Sequence, residues 1–72
     1  MAELRFFGYL SDLAGTRVKE VRLDRSEVLR RLVPSSFSEA NMIILINQRA
    51  GTLDSEVTDK DSVTFMPILS GG

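Results

Sequence analysis

The sequence predicts an α+β fold, a mixed sheet with one main helix packed across it, built as a single small domain. Three observations predict it. The 72 residues suffice for only one hydrophobic core. The apolar residues fall into strand-length runs on either side of one segment with helical spacing. The order strand, strand, helix, strand, irregular stretch, strand closes most economically with the first and last strands adjacent and parallel at the sheet centre. That layout is the ubiquitin-like β-grasp, whereas a ferredoxin-like arrangement would need a second helix that the pattern does not show.

Leu4-Arg5-Phe6-Phe7-Gly8-Tyr9-Leu10 is rich in aromatic and aliphatic residues and partly alternating, which predicts a first strand over residues 4–10. Ser11-Asp12-Leu13-Ala14-Gly15 offers capping oxygens and a terminating glycine, enough for one helical turn. Residues 18–23 then form the second strand, hairpin partner of the first, with Val21 and Leu23 on one face and Glu20 and Arg22 on the other. Asp24-Arg25-Ser26-Glu27 has the form of a capping box, and Val28, Leu29, Leu32 and Val33 make an apolar stripe behind it, so the main helix is expected over residues 24–33. Pro34 stops it, because a proline disfavours helical geometry at the preceding residue and donates no hydrogen bond. Arg30-Arg31 falls on its solvated side. Residues 34–41 connect onward, with Phe37 tucked under as an anchor.

Met42-Ile43-Ile44-Leu45-Ile46 is apolar at every position, as expected of a central strand covered on both faces or on one face plus a partner. Residues 47–51 read as a turn, Leu53 and Val57 are isolated apolar residues in a polar stretch, Asp59-Lys60-Asp61 is a charged turn, and residues 62–69 form the last strand. The globular domain is expected to span residues 1–69, followed by a flexible Ser70-Gly71-Gly72 tail.

Composition narrows the chemistry. With 43% hydrophobic and 26% charged residues the chain belongs with ordinary folded domains, away from the signature of disorder. It has no cysteine and no histidine, which removes disulfides, thiolate nucleophiles, the commonest general base and the commonest metal ligands. Nine basic residues interleave with ten acidic ones, as in Arg17-Val18-Lys19-Glu20-Val21-Arg22, so no single-sign face predicts nucleic acid as a partner. Asp54, Glu56, Asp59 and Asp61 lack the spacing and glycine of an EF-hand and read as a solvated acidic loop, so no metal is expected. No apolar run approaches the roughly 18 residues of a membrane helix, and Met1-Ala2-Glu3 does not open a secretory signal, so no membrane association and a cytoplasmic location are expected.

The carboxy terminus reads Phe65-Met66-Pro67-Ile68-Leu69-Ser70-Gly71-Gly72. Two glycines tolerate almost any backbone angles and present no side chain, so a terminal carboxylate at Gly72 can thread a narrow channel in another protein. From Pro67 to Gly72 the extended chain spans up to about 20 Å. A carboxylate becomes reactive once activated, for instance as an acyl-adenylate, and this one is the reacting group the sequence offers.

These residues resemble the MoaD/ThiS-type sulfur carriers, and within them the MoaD-like small subunits of molybdopterin synthase. Residues 5–15 look like the family's opening strand and first turn, Ile46-Asn47-Gln48 like its "VNQ" strand end, and residues 59–67 like its "DGDEV" turn and final strand, with Ser70-Gly71-Gly72 completing the pattern. The resemblance implies that an adenylyltransferase of the ubiquitin-activating type, MoeB/ThiF-like, uses ATP to adenylate Gly72, and that sulfur transfer then makes a thiocarboxylate. It implies further that the tail enters a MoaE-like large subunit, which builds the dithiolene of molybdopterin. Gly71 would be the threading glycine and Pro67 a stiffener where the tail leaves the sheet. The chain itself would be a non-catalytic carrier with no bound cofactor. A ubiquitin-like modifier joined through Gly72 to lysines, and a thiamine-pathway carrier, use the same activated carboxylate. Against the family pattern the helix region is short, Ile68 stands at the place of a second proline, and Lys60 replaces the turn glycine, which predicts a positive φ at Lys60.

Independently of the family, strand alternation puts Phe7 and Tyr9 opposite the core-facing Phe6, with Met66 and Ile68 beside them once the last strand pairs with the first. Together with Pro67 and Ser70 they form an expected partner-docking face next to the tail.

Overall fold

The computed structural model describes residues 1–68. The chain runs β1 (Ala2–Phe6), α1 (Tyr9–Ala14), β2 (Val18–Val21), β3 (Glu27–Val28), a 3-10 turn at Leu29–Leu32, a second at Glu39–Asn41, β4 (Met42–Ile46), β5 (Arg49–Gly51), β6 (Glu56–Val57) and β7 (Ser62–Pro67). Five strands make one mixed sheet in the order β2-β1-β7-β4-β5, and β3 and β6 form a separate two-stranded ribbon. β1 and β7 run parallel, with Leu4 opposite Val63 and Phe6 opposite Phe65, while β1 with β2 and β7 with β4 are antiparallel. The first and last strands therefore lie together within the sheet, and the architecture is the ubiquitin-like β-grasp with a single short α-helix.

One face of the sheet carries the core. Leu4 and Phe6 from β1, Val63 and Phe65 from β7, and Met42 and Ile44 from β4 are buried against Leu10, Leu29, Phe37, Leu53 and Val57. Three aromatic rings sit at its centre: Phe6 stacks on Phe65 at 5.1 Å, and Phe37 meets both edge-on at 5.7 and 5.6 Å. Such pairs add about 0.5–1.5 kcal/mol each beyond the area they bury. The anchoring role expected of Phe37 is thus met by residues from both central strands.

Several elements differ from expectation. The first strand ends at Phe6, and Tyr9 and Leu10 belong to α1. Gly8 causes this, because its φ of +59° turns the chain out of the strand. The Ser11 hydroxyl then donates to the Gly8 carbonyl at 2.9 Å, Leu10 drives into the core, and Gly15 closes the helix in the left-handed conformation at φ +79°.

The helix expected over residues 24–33 does not form. Its apolar stripe is used in two other ways: Glu27 and Val28 pair with β6, and only Leu29–Leu32 coils, as a 3-10 turn. The amides that would have closed helical rings donate elsewhere, Leu29 to Ser55 O at 2.9 Å and Arg30 to Leu53 O at 2.8 Å. A helix stopped by Pro34 offers few internal bonds to offset its nucleation. Crossing to the 53–57 segment satisfies the same donors while burying Leu29, Leu53 and Val57 together. Glu27, instead of capping a helix, accepts from the adjacent Val28 amide at 3.1 Å and lies 3.7 Å from Arg31, while Arg30 binds Asp54.

The connection expected as a turn over residues 47–51 narrows to Asn47 and Gln48, at φ +51° and +68°, because Arg49–Gly51 pairs back on β4 as β5. Those two are the only non-glycine residues with positive φ among the described residues, so Lys60 does not have the expected left-handed conformation. The turn before β7 is held by Asp61, whose carboxylate accepts from the Thr58 amide at 2.7 Å and the Asn47 side-chain amide at 2.9 Å. Asn47 in turn accepts from the Ser62 amide at 3.0 Å. β7 ends at Pro67, leaving Ile68 beyond the strand expected over 62–69.

These bonds lower the pKa of Asp61, through the Asn47 amide first and the Thr58 amide second, and a hydrogen bond from the Leu23 amide lowers that of Asp59. A carboxylate held below its ordinary value of 3.8 contributes stability that is fully present above that value and is lost as the pH falls from there through the lowered value. Urea denaturation should therefore show the midpoint dropping between about pH 5 and pH 3, and Asp61→Asn should be the less stable protein at pH 7 but converge on wild type in acid. A constant difference across that range would remove Asp61 from the acid response.

Candidate functional site

The other face of the sheet is open. Alternation sends Glu3 and Arg5 outward from β1, with Phe7 continuing that line just past it, Ser62, Thr64 and Met66 from β7, and Ile43 and Leu45 from β4. Their character changes along the strands. At the end where β7 begins, Glu3 lies opposite Glu20 of β2, and Arg5 Nε bridges to Glu3 at 2.6 Å, relieving a pair of like charges. At the end where β7 finishes, Met66 lies opposite Ile43, and Phe7 is the next outward residue of the first strand's line. Phe7 is 49% exposed, Ile43 44% and Ile68 49%, and Val18, opposite Arg5, is 44% exposed. A shallow concavity of about 630 Å³ runs along this face past Arg5, Phe7, Thr64 and Met66.

The structure thus gathers Phe7, Met66 and Ile68 at one end of the sheet, the end at which the chain departs toward residues 69–72. Tyr9, expected on the same strand as Phe7, reaches this end from α1 and is 48% exposed. Pro67 closes β7 opposite Met42. Ser70, Gly71 and Gly72 lie outside the described residues.

Two residues of this face were not singled out by the sequence. Ile43 carries the signal in the unbroken apolar run of β4: Met42 and Ile44 are only 6% and 4% exposed, whereas Ile43 is 44% exposed. That is the arrangement of a strand with one face in the core and the other left for a partner. Val18 gave no signal, since an isolated valine between Arg17 and Lys19 reads as an ordinary edge-strand residue.

The remaining polar clusters have structural work. Asp54 pairs with Arg30, Asp59 takes the Leu23 amide and the Met1 amino group, and Asp61 holds the Thr58 turn. Among the described residues no three acidic side chains converge as metal ligands, and no helix is long and apolar enough to cross a membrane. No buried side-chain nitrogen or oxygen among them lacks a hydrogen-bond partner. What the described surface offers is an exposed apolar face at the end of the sheet where β7 finishes.

No protein-family model matches the chain. It is 28% identical to the molybdopterin synthase sulfur carrier subunit of Escherichia coli (strain K12), in an alignment that covers all of both chains. Among solved structures it is similar to SAMP1 of Haloferax volcanii, with a TM-score of 0.71 at 22% identity over 99% of this chain and 98% of that one. It is also similar to a Pyrococcus furiosus protein assigned as molybdopterin converting factor subunit 1, with a TM-score of 0.69 at 21% identity over 94% and 97% of the two chains. The two structures share its β-grasp fold, and the E. coli subunit is similar to it from end to end.

Proposed function

We propose that the protein is a sulfur carrier whose reacting group is the carboxylate of Gly72, serving as the small subunit of a molybdopterin synthase. The observation that carries this reading is the end-to-end similarity to a molybdopterin synthase sulfur carrier subunit. The apolar face around Phe7, Ile43 and Met66, at the root of residues 69–72, supports it by offering a partner somewhere to dock beside the tail.

Two steps follow from the chemistry of a carboxylate. The Gly72 carboxylate attacks the α-phosphorus of ATP in a MoeB/ThiF-like adenylyltransferase, forming an acyl–phosphate bond and releasing pyrophosphate. Sulfide then displaces AMP and leaves a thiocarboxylate; an enzyme-bound persulfide instead displaces AMP to form an acyl disulfide, whose sulfur–sulfur bond a thiol cleaves, releasing the thiocarboxylate and leaving a disulfide. No oxidation state changes at the carboxyl carbon. The chain has no histidine, and in this reading proton transfer in both steps falls to the enzymes. It supplies a thin peptide that fits an active-site channel and a face that holds it there, while a MoaE-like large subunit would receive the sulfur. ATP belongs to the activating enzyme.

The face makes its own prediction. Phe7→Glu combined with Ile68→Glu should leave melting unchanged, since both side chains are about half exposed. It should weaken binding to a MoaE-like subunit and a MoeB-like enzyme by roughly 100-fold or more, as expected when two apolar anchors at an interface centre are replaced by charges. Titration calorimetry reads this directly, and unchanged affinity for both would remove the face from the account. Adenylation is tested by pyrophosphate release from ATP in the presence of a MoeB-like enzyme, which should depend on added carrier.

A further inference from the structure

The end of β7 is held by one further bond of the β4–β7 register and by two contacts from the Gly8–Tyr9 segment that lie outside the pairing. Past Pro67, the Ile68 amide donates to the carbonyl of Asn41 at 3.1 Å. The Tyr9 hydroxyl, arriving from α1, donates to that same carbonyl at 3.5 Å. Asn41 is itself fixed, as the last residue of the Glu39–Asn41 turn, by its amide donating to Ser38 O at 3.1 Å. On the opposite side Gly8 lies against the proline ring, so closely that a Cβ there would sit 2.9 Å from Pro67 Cγ. Phe7, one residue earlier, donates its amide to Phe65 O at 3.0 Å and extends the β1–β7 pairing to the edge of this site.

We infer that Gly8, Tyr9 and the Asn41 carbonyl form a clasp on Pro67–Ile68 that sets the direction in which the chain leaves the sheet, with Tyr9 as a positioning residue for the terminal carboxylate. The clasp stands on the geometry alone; its consequence for Gly72 rests on the sulfur-carrier reading. Pro67 fixes one backbone angle, the Asn41 carbonyl fixes the next amide, and Gly8 supplies a surface without a side chain against which the ring can lie. A segment launched in one direction reaches a partner's active site with less conformational search than one launched freely, so ordering at the root should appear in turnover of the docked complex.

Tyr9→Phe removes only the hydroxyl and keeps the ring, so the protein should fold as wild type does. Amide hydrogen exchange at Ile68 should quicken by about two- to fivefold, the low end of a hydrogen-bond effect because the Tyr9 contact is long. Gly8→Ala forces the Pro67 ring aside and requires alanine at positive φ; where this variant remains folded by its other amide protections, Ile68 should lose its protection. With a MoeB-like enzyme, ATP and sulfide, Tyr9→Phe should lower kcat for thiocarboxylate formation with little change in KM.

Ile68 exchange unaltered by Tyr9→Phe would overturn the clasp. Faster exchange with wild-type kcat in the variant would overturn the positioning role. Failure of the wild-type protein itself to be loaded would overturn the carrier reading, while the exchange data would still decide the clasp.

Discussion

Removal of Gly71 and Gly72 should leave the melting temperature where it is and abolish carrier-dependent pyrophosphate release. The core is complete within the described residues, from Leu4 to Phe65, so no buried contact of that core is lost with the two glycines. The reacting carboxylate, by contrast, would be displaced by two residues, roughly 7 Å of extended chain, and would sit on Ser70 with a side chain in the channel. A misplacement of about 1 Å can already cost roughly 100-fold, so the expected loss is of the whole reaction rather than a fraction of it. Gly72→Ala is the milder companion, predicted to retain partner binding and lose rate. Wild-type pyrophosphate release from the truncated chain would mean that the tail is inert and the protein acts through its face alone.

Phe65→Ala should bring the fold to the edge of collapse. Phe65 is fully buried on the central strand β7, stacked on Phe6 and edge-on to Phe37. Truncating such a side chain costs about 3–5 kcal/mol, and a domain of this length has only about 4–11 kcal/mol in total. The urea midpoint should fall by about a quarter or more, with near-ultraviolet signals from the aromatic cluster broadened or lost. A midpoint within experimental error of wild type would contradict the placement of the three rings at the centre of the core.

How much of this was legible beforehand depends on which force decided each element. The β1–β2 hairpin, the parallel pairing of β1 with β7, the unbroken apolar run of β4 and the burial of Phe37 are written in residue pattern, because each follows from which side chains must leave water. The segment at 24–33 is where pattern misleads. Val28, Leu29, Leu32 and Val33 have helical spacing, but the spacing states only that these residues seek cover, and the partners that give it, Leu53 and Val57, lie twenty or more residues away. Long-range pairing won over a local helix that Pro34 kept short. The helix that does form was half recognised, at Ser11 to Gly15, and its start was hidden because Phe7-Gly8-Tyr9-Leu10 looks continuous until the positive φ of Gly8 is known.

The candidate site divides along the same line. Phe7 and Met66 follow from counting alternate residues along two paired strands. Strand alternation puts Tyr9 near them, whereas it arrives there from α1, with its hydroxyl donating to the Asn41 carbonyl. The juxtaposition of Gly8 with Pro67, and the double use of the Asn41 carbonyl, join positions more than twenty-five residues apart and have no local signature.

The central claim is that Gly72 carries sulfur, and the most direct test is intact-mass spectrometry after incubation with a MoeB-like enzyme, ATP and a sulfur donor. The account predicts a mass gain equal to exchange of one oxygen for sulfur, confined by fragmentation to Gly72 and absent without ATP. An unchanged mass in the presence of an enzyme shown to be active on its own carrier, or adducts that join Gly72 to lysines of other proteins instead, would contradict it.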